Sequence, residues 1–226
     1  MTVLVLGASG SAGGSVVRVC LDAPDATSVR AIVRRPLGLE DPKLLEVRHD
    51  NFLDFSGVAS AFTGVDALFY CLGKSVRQVS GEAEYRTITH DYALATASAL
   101  RAHSPSAAFH FISGAGTGLD SRFMWARVKA ETERDLIAGF QAICWRPASI
   151  DGMPSASEPP LYKIFRPVAR VLLKPFRSLY VTGKDIGLAM LEATAAGYRS
   201  RVVENVEIRD LADRRKSSRS LSAPGL

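Results

Sequence analysis

Seven residues near the start of this chain restrict its fold more than any others. Gly7-Ala8-Ser9-Gly10-Ser11-Ala12-Gly13 has the spacing G-x-x-G-x-x-G, and the apolar run Val3-Leu4-Val5-Leu6 leads straight into it. The apolar periodicity from Ser15 to Leu21 then predicts a helix. Glycine spacings of this kind recur by chance, and the strand before and the helix after are what give this one meaning. Gly7 permits the tight turn, Gly10 lets backbone approach a pyrophosphate, and Gly13 lets the helix pack close to the strand. The helix N-terminus offers free N–H groups and the positive end of its dipole to phosphates. Ser9, Ser11 and Ala12 lie inside the same turn, so the whole segment is assigned to binding a dinucleotide.

The rest of the chain repeats the alternation. Strands are predicted at residues 29–33, 44–48, 67–71, 108–112 and 142–145, with helical patterns at 58–62, 84–102 and 123–137 between them. These strands are apolar along most of their length, as expected when helices cover both faces of a sheet. The predicted class is α/β: a Rossmann-type doubly wound parallel sheet with a small C-terminal substrate lobe. A single domain is expected over residues 1–212, with the substrate-side lobe at about 151–184. Within it lie a helix at 185–196 and a late strand at 202–208. Residues 213–226, rich in Arg, Lys and Ser, read as a disordered basic tail.

Other signals sharpen the cofactor reading. About 20 residues beyond the glycines, where NAD-binding chains place an acid for the ribose 2′-hydroxyl, stand Arg34 and Arg35. A guanidinium suits a 2′-phosphate by charge and by forked geometry, which predicts NADP(H) in preference to NAD(H). Asn51 and Phe52 follow the third strand and are assigned to the adenine. Phe52 reads equally as core. Cys71, Leu72 and Gly73 end the fourth strand, where such sheets present backbone to a ligand.

Composition excludes several classes. Three cysteines, Cys20, Cys71 and Cys144, are odd in number and lie in separate apolar runs, so reduced thiols are expected. The four histidines show no ligand spacing, and no metal is predicted. No apolar run approaches a membrane span, and no secretory leader is read at the start, so a cytoplasmic location is expected. The charge is uneven. From Pro160 onward there are 13 Lys or Arg against 6 Asp or Glu. With no aromatic platform, nucleic acid is not expected. The basic amphipathic stretch from Leu161 to Leu179 is assigned to packing, with peripheral contact to an anionic membrane as the alternative. A homodimer is left open.

The glycine loop, Cys71-Leu72-Gly73, Ser113-Gly114-Ala115-Gly116, Val128-Lys129 with Glu131, and Arg146-Pro147 together resemble an atypical short-chain dehydrogenase/reductase. The resemblance lies within the NAD(P)H-binding group that includes the Tat-interacting-protein oxidoreductases and NAD-dependent epimerase/dehydratase-like proteins. It covers residues 2–211. It implies a catalytic Ser at the end of the fifth strand, matched by Ser113. It also implies a Tyr four residues before a Lys on one helix face. The Lys is matched by Lys129, which would also bond the cofactor ribose, but Trp125 stands where the Tyr is expected. An indole N–H donates a hydrogen bond but does not titrate at useful pH, so it cannot serve as general acid/base. Three readings follow. Tyr85, Tyr92, Tyr162 or a bound water moves the proton, or the reaction needs no Tyr, or the chain binds NADP(H) without turnover as a regulatory protein. The implied activity is oxidoreductase or epimerase/dehydratase-like chemistry on a small molecule.

Overall fold

The computed structural model describes residues 1–151 and 179–221. Among the described residues, seven parallel strands form the main sheet, in the order β3-β2-β1-β4-β5-β6-β9. They are β1 (Thr2–Leu6), β2 (Ser28–Val33), β3 (Leu44–Arg48), β4 (Ala67–Tyr70), β5 (Ala108–Ile112), β6 (Ile143–Arg146) and β9 (Arg201–Glu204). A separate parallel pair joins β7 (Ser149–Asp151) to β8 (Tyr180–Thr182). β1 pairs β2 on one side and β4 on the other, so the strand order reverses at β1. A doubly wound sheet receives its ligand at that switch point, beyond the C-terminal strand ends. The predicted α/β class is the observed one.

Helices cover both faces. On one side lie α1 (Ser11–Asp22), α5 (Gly183–Ala195) and α6 (Asn205–Leu221), burying Val16, Cys20, Ile186 and Ile208 against the sheet. A Cβ on Gly187 would meet Val19 at 3.0 Å, so α1 and α5 touch where a side chain is missing. On the other side α3 (Tyr92–His103) and α4 (Met124–Phe140) bury Leu100 and Leu136 with Phe62, Phe109 and Phe111. The polar His110 sits inside β5, fully buried. It accepts from Trp145 Nε1 at 3.2 Å on Nδ1, and its Nε2 lies 3.1 Å from the Thr194 hydroxyl. Thr194 already donates to the Met190 carbonyl, so the Nε2 proton points to Thr194. Burial pushes the imidazole down to about 3, and it stays neutral.

Three expectations change. The helix predicted at 84–102 is α2 (Glu82–Arg86), a π-helical turn (Thr87–Asp91) and α3. The late strand predicted at 202–208 ends at Glu204, because Asn205 opens α6 with its side chain accepting from the Ala148 N–H at 2.8 Å. The tail predicted as disordered from Asp213 is helical to Leu221. Arg215 donates to both Asp25 oxygens at 2.5 and 2.6 Å, and α6 buries Ile208, Leu211 and Ala212. Low apolar content misleads there because the buried residues that seat the helix precede Asp213, and beyond it the anchor is the ionic Arg215. Most of the predicted substrate-side lobe, Tyr162 included, lies outside the described residues.

Candidate functional site

The glycine turn is built by exclusion of side chains. Gly7 has φ +80°, and a Cβ there would lie 2.5 Å from Cys71 C and Leu72 N. The turn after β1 therefore touches the end of β4, which only glycine allows. A Cβ on Gly13 would stand 2.2 Å from the Gly7 carbonyl oxygen, so the first turn of α1 rests on that carbonyl. Gly10 is the N-cap of α1 and donates to Gly7 O at 2.9 Å. No side chain caps this helix and its first turn carries no acid, which leaves the positive helix end to a ligand.

A cleft of about 260 Å³ opens above the turn, bounded by Gly7–Gly10, Ile32–Arg34, Phe52, Cys71–Lys74 and Gln78. It brings together Gly7, Ser9, Gly10, Arg34, Phe52, Cys71, Leu72 and Gly73 of the predicted residues. Ser11, Ala12 and Gly13 stand behind it as the first turn of α1. Arg35 is exposed outside the lining. Asn51 also stands outside, with its Oδ1 accepting from the Leu53 N–H at 3.2 Å in a local turn. Phe52 lines the cleft and packs on Tyr92 at 5.7 Å between ring centroids. Burial pushes the Cys71 thiol up to about 12, so it is an inert wall. Sequence reasoning missed Gln78. The capping box of Ser75 and Gln78 is a readable S-x-x-Q signal that fixes this rim. Lys74 pairs with Glu84 at 3.2 Å. These features fit a dinucleotide: a cradle that a Cβ would fill, an uncapped helix end and a guanidinium at the rim.

The other end of the site lies beyond β5. Ser113 is buried, and its hydroxyl lies 3.1 Å from that of Thr117. Thr117 donates to Gly114 O at 2.8 Å, so Ser113 donates to Thr117. Lys129 Nζ donates to the Ser113 carbonyl. Burial pulls the Lys129 ammonium down to about 8, against the opposing pull of Glu133 one helical turn along. The Trp125 ring covers the turn after β5, with ring atoms 3.8 Å from where Cβ atoms on Gly114 and Gly116 would stand. Phe123 stacks on it at 6.4 Å. Ser113, Trp125 and Lys129 thus share one small region, as the resemblance implies. Tyr85 is buried, with its phenol pushed up by burial and bonded to Thr89. Behind Lys129, buried Glu133 accepts from Arg146 Nη2 at 2.6 Å and Nε at 3.0 Å, and Arg146 reaches Glu204 at 3.1 Å. A larger hollow, about 320 Å³, opens near Arg101, Ala107 and Gln141. It lies at the opposite end of β5 from Ser113, away from all of this chemistry.

A family model described as NAD(P)H-binding matches residues 7–138. The chain is 34% identical over 140 residues to Protein FMP52, mitochondrial, of Saccharomyces cerevisiae, covering 61% of this chain and 60% of that one. It is 31% identical over 134 residues to Protein HTATIP2 of Rattus norvegicus, covering 58% and 54%. The matches thus span less than two thirds of either relative's length. Among solved structures, an oxidoreductase of the short chain dehydrogenase/reductase family from Burkholderia thailandensis superposes with TM-score 0.67 at 18% identity, covering 98% of each chain. A double mutant of DesIV (dTDP-glucose 4,6-dehydratase) from Streptomyces venezuelae, with NAD and DAU bound, gives TM-score 0.70 at 18% identity, covering 97% and 81%. At such identities these structures speak for the fold. Among the described residues no helix is long and apolar enough to cross a membrane. The yeast relative's name is mitochondrial and lends the cytoplasmic expectation no support.

Proposed function

Because this chain belongs to the NAD(P)H-binding family, as an atypical short-chain dehydrogenase/reductase, we propose that it binds NADP(H) in preference to NAD(H) and acts as an oxidoreductase on a small molecule. The observation that carries the cofactor preference is Arg34 on the cleft rim at the end of β2, where a carboxylate would favour NAD(H). When bound, the nicotinamide supplies or accepts the hydride. The chain's own residues bind and orient. The first turn of α1 receives the pyrophosphate, and Gly7 and Gly10 let backbone come close to it. The Lys129 ammonium spends one N–H on the Ser113 carbonyl and keeps two for ribose hydroxyls. The Ser113 hydroxyl turns from Thr117 to donate to a substrate oxygen.

Trp125 carries no transferable proton, so proton delivery falls to another group or to water. That same residue supports a second reading, a nucleotide-binding protein without turnover that reports the NADPH/NADP state to a partner. The experiment compares wild type, Arg34→Ala and Trp125→Tyr. Each is titrated with NADP and NAD and then assayed for nicotinamide absorbance change with a panel of aldehydes and ketones. The proposal expects NADP affinity to fall about 10- to 100-fold in Arg34→Ala, as for loss of a charge-assisted bond, with NAD unaffected. Turnover by wild type supports the oxidoreductase reading. Tight NADP(H) binding with no turnover on any compound leaves the second reading in its place.

A further inference from the structure

The hollow of about 320 Å³ at the far end of β5 lies where three pieces of the chain meet. The C-terminal ends of α3 and α4 reach it, and the loop between α5 and β9 closes it with Arg199. Its floor is apolar. Leu100 and Phe109 are buried, with Ala97 and the half-buried Phe140 beside them. The volume is that of a small ligand pocket. Two arginines stand over this floor. Arg101 Nη1 donates to Gly139 O at 2.9 Å, and its guanidinium lies 4.6 Å from the Phe140 ring centroid. Arg199 Nη2 donates to Ser106 O at 3.0 Å and its Nη1 to Tyr198 O at 2.7 Å. Gly139 and Ser106 themselves line the hollow, so both head groups sit at its rim. Left-handed backbone fixes this arrangement. Gln141 and Ser200 have φ of +54° and +51°, values that a side chain disfavours, and the Ser200 N–H donates to Gln141 O at 2.9 Å.

Backbone carbonyls hold these guanidiniums without neutralising them. Each helix C-terminus brings about half a negative charge. The two helix ends thus offset about one of the two positive charges, and no Asp or Glu lines the hollow. About one positive charge is left over an apolar floor. The field of Arg199 also reaches His110, where it adds to burial in keeping the imidazole neutral. A phosphate monoester, with up to two negative charges, exceeds what is left. A neutral ring leaves it unanswered. A single carboxylate matches it, and a guanidinium fork suits its two oxygens. We propose that this hollow binds a small monocarboxylate carrying an apolar ring, with the ring on Leu100 and Phe109 and the carboxylate between Arg101 and Arg199. The site is separate from the dinucleotide cleft and does not rest on the NADP(H) reading.

The test uses the full chain and two probes of one shape, benzoate and the neutral benzamide, followed by NMR of the backbone amides. The proposal expects saturable shifts centred on Ser106 and Gln141 with benzoate, and benzamide binding weaker by about 10-fold or more. Arg101→Gln and Arg199→Gln are each expected to weaken benzoate by about 5-fold or more. Both side chains are exposed, and the spectra themselves report whether each variant keeps its fold. Benzamide that binds as tightly as benzoate overturns the proposal without any variant, since the hollow then recognises shape alone. Benzoate shifts that NADP displaces place the probe in the dinucleotide cleft and overturn it too. A spectrum unmoved by benzoate, or benzoate affinity unchanged in both variants, has the same consequence.

Discussion

The two ends of the site were shaped by different constraints. At the β1–α1 turn every requirement is a matter of backbone. Gly7 and Gly13 have no room for a Cβ, and the helix end carries no competing side chain. At the β5–α4 end the arrangement is made of side chains. Ser113 bonds Thr117, Lys129 bonds the Ser113 carbonyl, and the ring over the Gly114–Gly116 turn is the indole of Trp125. The cleft fits a dinucleotide, while Trp125 offers no group that exchanges a proton at useful pH. The difference teaches that a dinucleotide fold carries its cofactor end on backbone constraints, whereas its reaction depends on single side chains.

The harshest way to break this contrast is at Gly13. Gly13→Ala forces a Cβ against the Gly7 carbonyl, which the main chain relieves only by moving. A loss of about 3 kcal/mol of stability is expected in urea titration, together with loss of NADP binding by calorimetry. Glu133→Ala probes the other end. It strands Arg146 without its best partner, and a partly buried broken pair costs about 3 kcal/mol. A melting point lower by about 6 to 12 °C is expected, with NADP affinity at permissive temperature retained within a few-fold. Loss of NADP binding there would erase the distinction between the two ends.

Lys129 gives a subtler test through pH. Its folded-state pKa is lowered to about 8, whereas an unfolded lysine titrates near 10.4. Between about 8 and about 10 the unfolded chain therefore holds more protons, and stability rises with pH across that window. Cofactor affinity moves the other way, because the ammonium form is the donor and disappears above about 8. Lys129→Met is expected to flatten both slopes, followed by chemical denaturation and by NADP titration from pH 7 to 10. The smallest expected effect is that of Trp125→Tyr on binding, within about 2-fold for NADPH by fluorescence, since Trp125 lies at the reacting end and not in the dinucleotide cleft.

Much of this was legible in the sequence. The bounds of β3 and β5 match the residues expected, and the glycine spacing locates the cleft because its constraints are local. The i and i+4 spacing of Trp125 and Lys129 also placed them together correctly. What escaped reading is non-local. Asn51 spends its side chain on the Leu53 N–H, a bond that only the observed turn makes visible. Thr117 redirects the Ser113 hydroxyl from a loop whose path no periodicity gives. Glu133 and Arg146 meet across two elements. Helix α6 hides its packing face among charges and anchors through Arg215 to Asp25, 190 residues away in the chain.

The central claim is that the backbone-built end holds a dinucleotide and prefers one bearing a 2′-phosphate. Calorimetric titration of the purified chain with NADPH and with NADH tests it most directly. One site per chain is expected, with NADPH binding at least 10-fold tighter than NADH. Binding of neither dinucleotide would contradict it, leaving the glycine turn as a feature of folding alone.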